Sequence, residues 1–374
     1  MARVVIVGGY GVFGSLTARL LVRDGHELWL AGRNPEKGEA LASEIGAELL
    51  QVDVREDPEA LFGLDPDVVI DAAGPFQDYG VDPYRVPRLC IEWGCHYLDL
   101  SDGSEFTRGI AALDAEAEAA GVFALSGASS VPGLSSVVVE DLARGFDEID
   151  EVDIAILPGN RAPRGMSVIK SVLSGVGRPS PVLRDGAWRD VVGWTERKRY
   201  RLAPDLVRSG YFVDVPDIQL LPERVAARSV MFRAGLELGV MNGALAVLAR
   251  LRQLWWFELP EVAFSALHML SKLLLPFGTD RGGMQVNVSG LRGGNFRHKR
   301  WTLVAEQGDG PFVPGIMCRA ILRDPSEIRP GARPCLAELR RREVEAAMSD
   351  LAITTEVEHV DVSEGAADMR AVPQ

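Results

Sequence analysis

The chain has 374 residues, 47% of them apolar and 25% charged, with a formal net charge of −13. That length suits two domains rather than one, the composition excludes a disordered chain, and the acidic balance excludes the basic footprint of a general nucleic-acid binder. Cys90, Cys95, Cys318 and Cys335 have neither metal-ligand spacing nor a disulfide framework, so no metal is expected and a cytoplasmic, reduced protein is. No signal peptide precedes the first strand, and no apolar run reaches the ~18 residues a spanning helix needs.

Val4–Val7 (VVIV) predicts a buried strand, the glycines after it a tight turn, and Phe13–Val22, with Leu16, Leu20 and Leu21, a helix. In that setting Gly9 is expected to allow the sharp turn, Gly11 to let backbone approach a pyrophosphate, and Gly14 to let helix and strand pack closely. Tyr10, Val12 and Phe13 complete the loop, and the phosphates would sit on the helix N-terminus. Two patterns fit: GxGxxG through Gly9, Gly11 and Gly14, and the GxxGxxG of extended short-chain dehydrogenases through Gly8, Gly11 and Gly14. The second chemistry needs a Tyr with a Lys four residues on. The six tyrosines are followed at that spacing by Gly14, Pro83, Arg88, Ser101, Pro204 and Val215, so that reading fails.

Alternating strands and helices continue to residue 126. Glu27–Arg33, AELLQVDV, Asp67–Gly74, His96–Ser101 and VFALSG read as strands, with helical segments between them. Strands separated by helices predict a parallel sheet covered on both faces. At the end of the second strand the residue expected to meet the adenosine ribose is Arg33, 19 residues after Gly14, with Asn34 beside it and Lys37 one turn on. A guanidinium in place of a carboxylate there favours NADP, with NAD the less favoured cofactor. Asp53 and Val54 close the third strand near the adenine, and Ala73, Gly74, Pro75 and Phe76 close the fourth, where the nicotinamide side would approach.

After Gly133 the pattern changes. A helix from Leu134 to Arg144 is followed by strands with hairpin punctuation, at Asp185-Gly186 and within Leu291–Arg297. This predicts an α+β domain with a mostly antiparallel sheet. Its most apolar stretch, 226–277, holds two helical patterns (Asn242–Trp256 and Pro260–Leu274), read either as core or as a surface for a membrane or an apolar substrate. Residues 356–374 are expected to fray as a flexible tail.

The glycine turn, AGPFQDYG (73–80), HYLDLSDGSEF (96–106) and GASSVPGLSS (127–136) together resemble the saccharopine dehydrogenase-like family across residues 1 to about 140. The resemblance implies a Rossmann nucleotide domain (1–126), an α+β substrate and dimerisation domain (127–310), and C-terminal helices (311–350, with one near Gly315–Arg323) that pack back on the first. It further implies that Tyr97, Ser101, Ser130, Pro132 and Gly133 line the substrate side of the cofactor cleft. Ser129-Ser130 stand before Val131-Pro132-Gly133 where saccharopine reductases carry an acidic residue, which points away from an amino-acid substrate.

The function expected is NADP-dependent hydride transfer to or from a small, apolar molecule, carried out by a homodimer. No acid–base residue stands out; Asp99 and Asp102 are the candidates in the cleft. The alternative is a non-catalytic NAD(P)-binding sensor or a protein that works at a membrane surface.

Overall fold

A computed structural model describes residues 1–76, 79–163, 165–255 and 257–360. Gln77, Asp78, Arg164, Trp256 and positions 361–374 of the expected tail lie outside the described residues.

In chain order the elements begin with β1 (Arg3–Val7), α1 (Val12–Arg23), β2 (Glu27–Gly32), α2 (Glu39–Ile45), β3 (Glu48–Gln51), β4 (Val68–Asp71), α3 (Arg85–Glu92), β5 (His96–Asp99), α4 (Ser104–Gly109), α5 (Asp114–Ala120) and β6 (Phe123–Ser126). Then follow α6 (Ser135–Ala143), β7 (Glu148–Leu157), α7 (Met166–Gly175), β8 (Pro179–Arg184), β9 (Ala187–Val192), β10 (Lys198–Ala203), β11 (Leu206–Phe212), α8 (Asp217–Val225) and β12 (Ala227–Ala234). The last are α9 (Gly239–Leu254), α10 (Glu261–Leu273), β13 (Gly282–Arg292), β14 (Asn295–Ala305), α11 (Val313–Arg323), β15 (Gly331–Pro334), α12 (Arg341–Ala346) and β16 (Ile353–Val360).

Two units result: Met1–Leu134 with Pro163–Val168 and Pro311–Met348, and Ser135–Ala162 with Ile169–Gly310 and Ser349–Gln374. The first unit is a parallel sheet in the order β15-β6-β5-β4-β1-β2-β3. Its first six strands have the doubly wound order that places ligands outside the strand carboxyl ends, at the switch between β1 and β4. Val4–Val7 and Val68–Ile70 are buried, as strands covered on both faces require.

The second unit holds a seven-stranded sheet, β10-β11-β12-β7-β13-β14-β16, antiparallel except where β12 runs parallel to β7. Both hairpins read in the sequence form. Asp185 and Gly186 take φ of 50° and 77° between β8 and β9, and Gly293 and Gly294 take 57° and 76° between β13 and β14. Two consecutive residues with positive φ give the turn whose twist matches a hairpin. Asp153 on β7 is buried and accepts from Tyr200 Oη at 2.9 Å, Lys198 Nζ at 3.0 Å and the Arg233 guanidinium, which balances its charge.

The C-terminal stretch corrects the sequence reading twice. Residues 311–350 are not helices alone, because Gly331–Pro334 adds β15 to the edge of the first sheet beside β6. The tail does not fray from residue 356, because Glu356–Val360 belong to β16 and pair with β14. Both strands take their partners from distant sequence, and β15 is only four residues long with no periodicity to announce it. α11 packs on α1: Gly315 lies against Thr17 and Leu20, and Arg319 pairs with Asp24 at 2.8 Å.

Candidate active site

The site builds up from the turn after β1. The residue that makes it is Gly8 (φ +69°), not Gly9; its N–H donates to the Ala31 carbonyl, and Gly11 N–H donates back to the Gly8 carbonyl, each at 2.8 Å. A Cβ on Gly8 would come 2.9 Å from Ala73 Cα, so the loop lies directly on the end of β4. On Gly9 it would meet the Ile6 carbonyl oxygen at 2.8 Å, and on Gly14 the Gly8 carbonyl oxygen at 2.2 Å. Gly14 thus has the role its position predicts, close packing of α1 on the turn. α1 starts after Gly11 with no side chain bonded to its first N–H groups, which leaves those donors available to an anion. Val12 and Phe13 are its half-buried first residues.

Tyr10 reaches from this loop across the end of β2. Its hydroxyl accepts the Asn34 N–H at 2.9 Å, and its ring fills the space a side chain on Gly32 or Gly38 would need. Arg33, Asn34 and Lys37 are exposed there, and no hydrogen bond or ion pair engages the side chains of Arg33 or Lys37 among the described residues. Asp53 and Val54 lie just past β3, which ends at Gln51. The Asp53 carboxylate accepts the Arg55 N–H at 3.1 Å, and Val54 packs on the core of the unit.

Beyond β4, Ala73, Gly74 and Pro75 are half-buried and Phe76 is buried. The Gly74-Pro75 and Val131-Pro132 peptide bonds are cis. Phe76 stacks on Tyr79 with ring centres 5.2 Å apart, and Phe106 packs against both, which makes an aromatic cluster at the carboxyl end of the sheet. The Tyr79 hydroxyl donates to Asp71 Oδ2, while Asp71 Oδ1 accepts the Ala73 N–H at 2.9 Å. Burial pushes the Asp71 carboxyl up to about 6 and holds the Tyr79 phenol well above its usual range.

Asp99 is Asp71's neighbour across the β4–β5 pairing. Its Oδ1 accepts from Gly127 N–H at 2.7 Å, Ser101 N–H at 2.9 Å and Ser126 Oγ at 3.0 Å. Oδ2 is buried with no hydrogen-bond partner among the described residues, and burial lifts this carboxyl to about 7. The carboxyl therefore ties the turns after β5 and β6 together. Tyr97 and Ser101 are fully buried, so neither lines an open surface. Tyr97 belongs to the core of the unit because alternate residues of a strand point to opposite faces, and Ser101 Oγ accepts from Thr107 Oγ1 at 3.0 Å. Asp102 is exposed. Ser130 is half-buried, while Pro132 and Gly133 fold back on the Gly127 turn, where a Cβ on Gly133 would meet Met317 Cγ at 2.9 Å.

Sequence reasoning passed over Asp71 and Tyr79. The signal was there: a carboxylate ends the otherwise apolar strand VVID, and a tyrosine follows in the next loop. Among the described residues no group of three or more His, Cys, Asp and Glu is placed to hold a metal ion.

A parallel sheet in this strand order, with a glycine turn under an uncapped helix, defines a dinucleotide-binding Rossmann domain. Residues 4–125 match the saccharopine dehydrogenase NADP binding domain. By that domain, this stretch of the chain is similar to the NADP-binding domain of saccharopine dehydrogenases. The fold as a whole is similar to apo saccharopine dehydrogenase (L-Glu forming) from Saccharomyces cerevisiae, with a TM-score of 0.68 and 15% identity over 96% of this chain and 100% of that one. Ribose-5-phosphate isomerase from Brucella melitensis 16M aligns over 33% of this chain and 66% of its own at 19% identity, with a TM-score of 0.29, too partial a likeness to inform function. No curated protein matches the chain in sequence.

Proposed function

We propose that the protein is an NADP-dependent oxidoreductase that transfers hydride to or from a small, largely apolar substrate. The observation that carries this reading is the glycine cradle with Arg33 and Lys37 unengaged at the end of β2. Every Cβ the loop lacks would strike backbone, and the two cations stand where a 2′-phosphate, but not a 2′-hydroxyl, gives them a partner. When bound, NADPH would supply the hydride and NADP+ would accept it in the reverse direction.

The chain supplies orientation and the proton. Gly8 keeps the phosphate loop against Ala73, so cofactor position and the β4 edge are coupled. Tyr79 and Asp71 are the pair we assign to the proton. In reduction of a C=O or C=N group, the Tyr79 hydroxyl would protonate the heteroatom while the Asp71 carboxyl proton replaces the one lost. Asp99 positions this edge through its backbone bonds and does not touch the reacting atoms. Phe76, Tyr79 and Phe106 give the site an apolar character. The same reading carries a cytoplasmic homodimer, which sedimentation of the purified chain would test.

The direct experiment is a spectrophotometric screen of NADPH oxidation against ketones, imines and enoyl thioesters. Turnover with an apolar member of one class is expected. Inactivity across all three, alongside intact NADPH binding, would leave a nucleotide-binding sensor instead.

A further inference from the structure

The second unit contains a helix that is apolar on two faces. On one, Leu245, Ala246, Leu248 and Ala249 of α9 pack with Val172, Val176 and Trp194. Arg252 fastens the same side by donating to the Leu173 and Val176 carbonyls of the α7 end at 2.7 and 2.9 Å. On the other, Val240, Val247, Leu251 and Leu254 follow one another along the helix and stay exposed, Leu254 at 85% and Trp255 just beyond it at 83%. Helix α10 repeats the pattern. Phe264 faces inward under the Lys170 ammonium of α7 at 5.6 Å, while Val262, Met269, Leu270 and Leu273 form an exposed stripe that runs on to Phe277. α9 is therefore held on α7, α10 meets it at Phe264, and both leave an apolar face exposed. Single exposed apolar residues are ordinary; contiguous stripes along two consecutive helices mark an interaction surface.

Charge chooses the partner. In a chain of net charge −13, the stretch 242–277 has no aspartate, and its exposed cations Arg250 and Lys272 offset Glu258 and Glu261, while Arg252 is buried against α7. Arg250 and Lys272 are exposed beside the stripes, long enough to lie along apolar surface with their charges at its rim. Trp255 and Phe257 at the end of α9 add the aromatic residues suited to a bilayer interface. No helix among the described residues is long and apolar enough to cross a membrane. We propose that α9 and α10 seat the protein on an anionic lipid surface, with the apolar stripes at the headgroup boundary and Arg250 and Lys272 among the headgroups. This docking is independent of the nucleotide reading and would bring the enzyme to substrates that partition into lipid.

The test is co-sedimentation of the full chain with phosphatidylcholine vesicles, with and without about one-third phosphatidylglycerol. The wild type is expected in the pellet with the anionic vesicles. Leu254→Glu combined with Leu273→Glu should cut binding at least about tenfold, and Arg250→Glu with Lys272→Glu should abolish the preference for anionic over neutral vesicles. Thermal melting and NADPH binding, measured on every variant, show that the fold survives; where it does not, Leu254→Ser with Leu273→Ser takes the place of the glutamate pair. The proposal is overturned if the wild type ignores both vesicle types, or if folded variants bind as it does. It is equally overturned if the stripes instead bury a dimer that sedimentation velocity detects and the glutamate pair dissociates.

Discussion

Single atoms decide the behaviour of the phosphate loop. Gly14→Ala would push a methyl group to 2.2 Å from the Gly8 carbonyl oxygen, a backbone atom that cannot move without opening the turn. We expect a loss of about 2 kcal/mol in denaturant unfolding and no measurable NADPH binding. At the other end of β4, Tyr79→Phe should leave NADPH affinity unchanged and lower kcat about a hundredfold. Because Asp71 sits at about 6, the reduction rate of the wild type should fall as pH rises through that value. Stability follows the same sign. Asp71 and Asp99 hold protons in the folded state that the unfolded chain releases near pH 4, so their contribution is full below about 4 and is lost as pH rises through about 6 and about 7. Urea midpoints should decline across that window. Asp99→Asn should flatten the decline, because an amide oxygen accepts the same three bonds without a charge to bury.

At the scale of elements, α11 is tied to α1 by the buried Arg319 guanidinium, which donates to both Asp24 carboxylate oxygens at 2.8 Å and to the Ala347 carbonyl at 2.9 Å. Those bonds hold the Asp24 carboxyl down at about 2, a contribution present above the ordinary carboxyl range and lost on acidifying toward 2. Arg319→Ala strips a buried partner and should cost about 3 kcal/mol at neutral pH by urea denaturation. This contact also shows where sequence reading stops. The alternation of β1 to β6 with helices, the close-packing role of Gly14 and both two-residue hairpins were legible because each depends on residues near in sequence. β15 and β16 were not, because their partners arrive from distant chain; Asp71 and Tyr79 were each visible, but the loop that brings them together has a course no periodicity describes. Gly8 was passed over in favour of Gly9 for a related reason. Two adjacent glycines look alike in a pattern, and only the approach of Ala73 and the positive φ separate them.

For the molecule as a whole, one unit carries the nucleotide machinery and the other carries the unpartnered faces of α9 and α10. The account predicts that damage to one leaves the other's function intact: Leu254→Glu with Leu273→Glu should not alter cofactor affinity, and Gly14→Ala should not alter vesicle binding. Its central claim is that the first unit holds a nicotinamide dinucleotide with its 2′-phosphate on Arg33 and Lys37. Fluorescence titration with NADPH and NADH, on the wild type and on Arg33→Glu combined with Lys37→Glu, tests it most directly. The prediction is tight NADPH binding that the double variant weakens at least about tenfold while NADH affinity barely moves. Absent NADPH binding, or equal loss for both nucleotides, would contradict it.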